Sequence, residues 1–120
     1  MKLETLKDKL RNAVNLAEKI AAKNVGQPIL SNLLLEANQR LLKIRATNLD
    51  LGLTINLPVK TDEEGRVLVP ARVLASVLSN LPGEQKIKLA TSQQHLVITS
   101  NNNSSLIKSL ADDDFPVLPQ

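Results

Sequence analysis

Early in the chain, apolar residues return every third or fourth position. In TLKDKLRNAVNLAEKIAAK (5–23), Leu6, Leu10, Ala13, Val14, Ala17, Ile20 and Ala21 recur in this way, the spacing of one helix face. Thr5, with Asp8 three residues on, resembles a capping box with Asp in place of Glu. Asn24 to Gly26, followed by Pro28, supply the stop. Residues 2–4, before the helix, read as a short strand. From residue 31 the period changes. SNLLLEA (31–37) and RLLKIRAT (40–47) read as strands joined by a turn at Asn38 and Gln39. LGLTINLPV (51–59) alternates, with Leu51, Leu53, Ile55, Leu57 and Val59 on one face. Pro58 cannot donate to a ladder, which marks this strand as an edge.

After TDEEG (61–65), read as a charged turn, the order begins again. RVLV (66–69) is a strand, and PARVLASVLSNL (70–81) is a helix with Pro70 at its first position. Val73, Leu74, Val77, Leu78 and Leu81 make its apolar face. KIKLAT (86–91), HLVITS (95–100) and SLIKSLA (105–111) are three further strands, with turns at SQQ and NNN. Each half is therefore strand, helix and three strands, although the two halves are not alike in sequence. Two helices cannot cover both faces of one sheet of eight strands. The expected fold is α+β, with helices 5–23 and 70–81 side by side on one face of curved antiparallel sheets and a shared core between. The other face of the sheets is expected to be wet.

A chain of 120 residues is the size of one domain. Aromatic residues make up 1% of it, so Leu, Val, Ile and Ala must do the packing. The absence of Cys excludes disulfides and thiolate metal sites and fits a reducing cytoplasm. MKLETLKDKL lacks the apolar core of a signal peptide, and no apolar run reaches the length of a membrane span. The four glycines are isolated, which excludes a phosphate loop or a dinucleotide fingerprint. His95 is the only His, without a neighbouring carboxylate to make it a ligand or a catalytic base. Asp112, Asp113 and Asp114 stand in a row. In an extended chain their side chains alternate in direction, so they chelate poorly. No catalytic residue, metal or cofactor is expected. A metal-dependent hydrolase built on the Asp run is the weakest rival.

The net charge is +3. Residues 5–23 hold five cations (Lys7, Lys9, Arg11, Lys19, Lys23) and two anions (Asp8, Glu18), a surplus equal to that of the whole chain. On a helical wheel Asn12, Lys19 and Lys23 project together, flanked by Arg11 and Asn15. The polar face of helix 70–81 holds Arg72, Ser76, Ser79 and Asn80. Two readings of this charge stand side by side: a solvated helix face, or a surface lying along a phosphate backbone. Without aromatic partners such contact is electrostatic and indifferent to sequence.

PILSNLLLEA (28–37), ATNLDLGL (46–53), VPARVL (69–74), NLP (80–82) and SLADDDFPVLP (109–119) occur in this order. With the repeated unit, they make the chain resemble the N-terminal domain of the bacterial DNA polymerase III beta subunit, the sliding-clamp family, over nearly its whole length. The resemblance implies a domain over 1–114 and the start of an interdomain linker over 115–120. In the family an acidic residue with Phe-Pro, here Asp114, Phe115 and Pro116, closes the first domain, and Phe115 is expected to plug an apolar cleft there.

The resemblance also implies a non-catalytic role. Three such domains per chain and two chains close a ring around double-stranded DNA and confer processivity on the polymerase. A homodimer ring, a DNA polymerase and a clamp loader are the expected partners of a full-length chain, with no membrane and in the cytoplasm. Arg72 is the implied DNA contact after VPA. A second basic contact falls on Asn24, beside Lys23. With Arg11 and Lys19 these form the expected DNA-facing set. The family's peptide groove lies between its second and third domains, outside this stretch. The strand 104–111 is the implied subunit interface, with Ser105 where the family often has a bulky residue and Ile107 as the apolar contact. Lys108 is expected to point away from Ile107. The alternative is a stand-alone nucleic-acid-binding α+β module acting through helix 5–23.

Overall fold

The computed structural model describes residues 1–21, 32–47, 51–81, 86–100 and 103–110. The first half holds β1 (Lys2–Leu6), α1 (Lys7–Ala21), β2 (Asn32–Asn38), β3 (Leu41–Thr47), β4 (Gly52–Pro58) and β5 (Lys60–Glu63). The second holds β6 (Gly65–Pro70), α2 (Ala71–Asn80), β7 (Lys86–Ser92), β8 (His95–Ser100) and β9 (Asn103–Lys108).

The strands form two antiparallel sheets, ordered β5-β1-β7-β8-β9 and β4-β3-β2-β6. Each half lends the strand before its helix to the sheet of the other half. β1 pairs with β7, and β6 pairs with β2. The halves therefore interlock, and neither completes a sheet alone. The segments that follow each third strand cross between the sheets. β5 pairs with β1, and Leu110 forms a bridge to Leu68 of β6, its N–H donating to the Leu68 carbonyl at 2.9 Å.

The core is aliphatic. Leu10, Val14 and Ala17 of α1 and Leu74 and Leu78 of α2 are buried in one cluster with inward residues of both sheets, among them Leu3, Leu35, Ile44, Val69, Leu89 and Leu96. Helix α1 packs against α2 and against β3 and β4, while α2 packs against β6 and β2. The helices thus lie side by side over the sheets, as the pattern predicts. β4 is an edge strand, as Pro58 predicts.

Five local expectations are corrected. The helix begins at Lys7, because Thr5 is a buried strand residue paired with Ile87. Pairing with β7 outweighs a capping interaction worth about 1 kcal/mol. Leu6, counted in the helical stripe, ends β1 and is 43% exposed. Most of the charged turn at 61–65 is strand β5, giving nine strands among the described residues rather than eight. A short polar strand held by backbone pairing alone leaves no hydrophobic period to read. Pro70 is the N-cap of α2 rather than its first residue, and Val73 is exposed.

The sheet of β2, β3, β4 and β6 is not wet throughout its outer face. Leu34 and Leu68, directly paired there, are buried apart from the main cluster. The unbroken LLL of residues 33–35 is the sequence signal of a strand buried on both faces. Close approach explains Gly65. A Cβ there would stand 2.7 Å from the Met1 nitrogen, which donates to Thr91 Oγ1 at 2.9 Å.

Candidate functional site

The surface of the helix pair is shaped by which cations are turned inward. Lys7 is buried, and its Nζ donates to the Leu81 carbonyl at 3.1 Å. Leu81 closes α2, where the carbonyl end of the helix dipole favours a cation. The start of α1 therefore sits beside the end of α2. In the antiparallel run this implies, Lys19 and Arg72 come to the same end of the pair. Asp8 lies 3.5 Å from both Lys7 Nζ and Arg11 Nη2. Its carboxylate is thereby turned to its own helix, and Arg11 is partly neutralised.

What α1 exposes is Lys9, Asn12, Leu16 and Lys19; what α2 exposes is Arg72, Val73, Ser76, Ser79 and Asn80. None of these exposed helix residues is a carboxylate. Three cations remain among small or neutral side chains, with the carboxylates Asp8 and Glu18 half-buried, so the exposed charge favours the approach of an anionic rod. Of the expected set, Lys19 and Arg72 are exposed here, and Arg11 is half-buried in an ion pair. Lys23 and Asn24 lie outside the described residues, as do Asp112 to Pro116 and the expected domain boundary. Leu16, 53% exposed between Asn12 and Lys19, was missed by the sequence reading. Its place on the wheel, between two polar positions, was the available signal.

A second group of cations was also missed. Lys2, Lys60, Lys86, Lys88 and Lys108 are exposed on the five-stranded sheet. The helix was expected to account for the chain's charge, yet the outer side of this sheet carries more lysines. Alternation within KIK (86–88) already separates Lys86 and Lys88 from buried Ile87.

Among the described residues strand β9 is an open edge of the sheet, paired with β8 alone. Here the structure corrects the expected apolar contact. Ile107 is 3% exposed and belongs to the core, opposite buried Leu96. Ser105, half-buried, shares its side of the strand. Pairing with β8 sets the parity of β9, and a strand's alternate residues must then face opposite ways. Lys108 points away from Ile107, as expected. Leu106 points outward with it, 64% exposed.

Among the described residues no group of three or more His, Asp or Glu could hold a metal ion, and no helix is long and apolar enough to cross a membrane.

The family model for the DNA polymerase III beta subunit, N-terminal domain, matches residues 1–119. The beta sliding clamp of Synechocystis sp. is 32% identical over 99% of this chain and 32% of its own length. That of Treponema pallidum is 32% identical over 100% of this chain and 33% of its own. The Helicobacter pylori beta clamp bound to a DNA ligase peptide superposes with a TM-score of 0.92 at 26% identity, over 100% of this chain and 34% of that one. Caulobacter crescentus pol III beta does so with 0.92 at 28% identity, over 99% and 32%. The chain spans about a third of the length of the relatives it matches. Sharing their fold over its whole length and matched by the family model almost from end to end, this chain belongs to the family of the DNA polymerase III beta subunit, N-terminal domain.

Proposed function

We propose that residues 1–114 are the first domain of a non-catalytic DNA sliding clamp, with 115–120 opening the linker to a second domain. Within the full-length protein it forms one sixth of a homodimeric ring around duplex DNA in the cytoplasm, to which a polymerase and a clamp loader bind. Family membership over residues 1–119 carries the reading. The helix face, with three exposed cations and no exposed carboxylate, supports it. Lys19, Lys23, Asn24 and Arg72 are the DNA-facing residues, with Arg11 a lesser contributor because Asp8 takes part of its charge. The edge of β9 is the subunit interface. Ser105 lies along it, Leu106 supplies the apolar contact, and Ile107 supports the strand from within.

A ring that slides holds its track by topology, so its contacts with DNA must be weak and indifferent to sequence. Lysine and arginine on long stems beside short serines meet that need. They neutralise phosphates without fixing a register. If Lys19, Lys23 and Arg72 each neutralise one phosphate, the slope of log K against log salt is about −2.7, and fourfold more salt weakens binding roughly 40-fold.

Fluorescence anisotropy of the isolated chain with a linear duplex tests the proposal. Weak binding with that shallow slope is expected, diminished by the charge reversals Lys19→Glu, Lys23→Glu and Arg72→Glu. Tight binding with a slope beyond about −6 would instead identify a stand-alone nucleic-acid module. Binding unaffected by the triple reversal would remove these residues from the DNA-facing surface.

A further inference from the structure

At one corner of the molecule β1 hands over to α1 and β4 hands over to β5, and a cavity of about 360 Å³ opens there. Three lysines from three different elements line it: Lys9 in the first turn of α1, Lys60 at the start of β5 and Lys86 at the start of β7. Among the described residues their only carboxylate companion in the lining is Glu4. Register fixes how that charge is used. Glu4 lies across from Lys60 on one side and Lys88 on the other, one acid between two cations, and forms a close ion pair with neither. Lys86 lies across from Leu6, with no described carboxylate opposite it. None of Lys9, Lys60 and Lys86 forms an ion pair with a described residue within 4.0 Å. The rim is thus cationic in excess.

The floor is different in kind. Leu6, a large apolar side chain 43% exposed, and Pro58, also exposed, line it beside buried Val59. Val59 is held in place by its N–H bond to the Arg40 carbonyl at 3.0 Å, so the corner has a fixed backbone. A concave apolar floor with a few converging charges is the usual form of a binding site.

We propose that this corner binds an acidic peptide segment of a partner protein that carries an apolar anchor residue. The anchor covers Leu6 and Pro58, and flanking carboxylates meet Lys60, Lys86 and Lys9. Charge complementarity selects an anion. The apolar floor selects peptide over nucleic acid, because a phosphate backbone brings no group that gains by leaving water there. Lysine, a flexible point charge, suits carboxylates at variable positions rather than one planar bidentate ligand.

The test uses the 120-residue chain and a fluorescein-labelled peptide of alternating glutamate and leucine, with its glutamine counterpart and a short DNA duplex as comparisons. Saturable binding of the glutamate peptide below about 1 mM is expected. The double variant Lys60→Gln with Lys86→Gln removes two exposed charge contacts and weakens it roughly fivefold. Leu6→Gln weakens it severalfold by removing the floor. Melting temperatures of the variants stay at that of the parent, since all three side chains are exposed. Lys19→Glu with Arg72→Glu leaves peptide binding unchanged, which separates this site from the helix face. The proposal is overturned by any of three results: no saturation, equal binding of the glutamine peptide, or an unmoved affinity in the double variant. Duplex affinity that falls by the same factor in that variant assigns the corner to nucleic acid and overturns it too.

Discussion

The five-stranded sheet ends on β5 at one side and on β9 at the other, and the two edges are made of different material. β5 has four residues, a register shift opposite Lys2 and Leu3, and exposed Lys60, Asp62 and Glu63. Shortness, charge and irregularity each discourage a further strand from pairing. β9 has six residues in unbroken register with β8, and its exposed side chains include Ser104, Leu106 and a single charge, Lys108. One edge of a single sheet is blunted and the other is left ready to pair. An open edge on a small domain is an association hazard unless a partner strand covers it, which is how a ring subunit would use it.

The largest effect separates the edge from the fold beneath it. Ile107→Asp places a charge in the core and should cost about 3–5 kcal/mol, a large share of an ordinary domain's stability and a marked drop in melting temperature. Leu106→Asp, one residue away, should change stability by less than about 0.5 kcal/mol. In a full-length ring it should nevertheless weaken dimerisation, read by sedimentation at low concentration. Equal melting curves for the two variants would erase the distinction between the two faces of β9.

Next comes the end of the blunted edge where β5 runs into β6, beside Met1. Gly65→Ala drives a methyl group against the Met1 backbone and should cost about 1–3 kcal/mol in chemical denaturation. An unchanged midpoint would mean that Met1 moves aside freely. Replacing Lys60 and Asp62 with Val should make β5 as inviting as β9. The expected result is self-association that Leu106→Asp does not abolish. A variant that associates no more than the parent would show that charge is not what protects this edge.

The smallest effect is in the hairpin leading to β8, the neighbour of the open edge. Gln93, in the two-residue connection between β7 and β8, has φ 54°, and Gln39 between β2 and β3 has φ 57°. Left-handed backbone costs a side-chain-bearing residue about 1–2 kcal/mol. Gln93→Gly, after its own entropy loss, should therefore raise stability by about 0.5–1 kcal/mol. A lower denaturation midpoint would show that the Gln side chain contributes a contact outweighing that strain.

Much of this was open to reading from residue order. The period of Leu10, Val14 and Ala17 marks α1, and the alternation in KIKLAT and HLVITS marks β7 and β8. Pro58 marks an edge. The candidate surface was legible only in part. Lys19 and Arg72 are placed outward by the helical period, and the Asp8–Arg11 pair is an i,i+3 contact that the same period allows. Nothing local announces that Lys7 turns inward to the end of α2, because that bond depends on a helix more than seventy residues away in the chain.

Residue order alone gives both helices and eight of the nine described strands, the aliphatic core, the absence of Cys and the motif order that places the chain in its family. These follow from properties each segment carries alone: side-chain period, turn residues and composition. Long-range packing settles which side of β9 faces inward, whether Thr5 caps a helix or completes a sheet, and whether the acidic stretch at 61–65 turns or pairs. It also sorted the lysines between the helix face and the five-stranded sheet. Each of these is settled by a partner distant in sequence. A strand's alternation reports that one side is buried, whereas the register of its neighbour decides which side, and a short polar edge exists only where another backbone offers it hydrogen bonds.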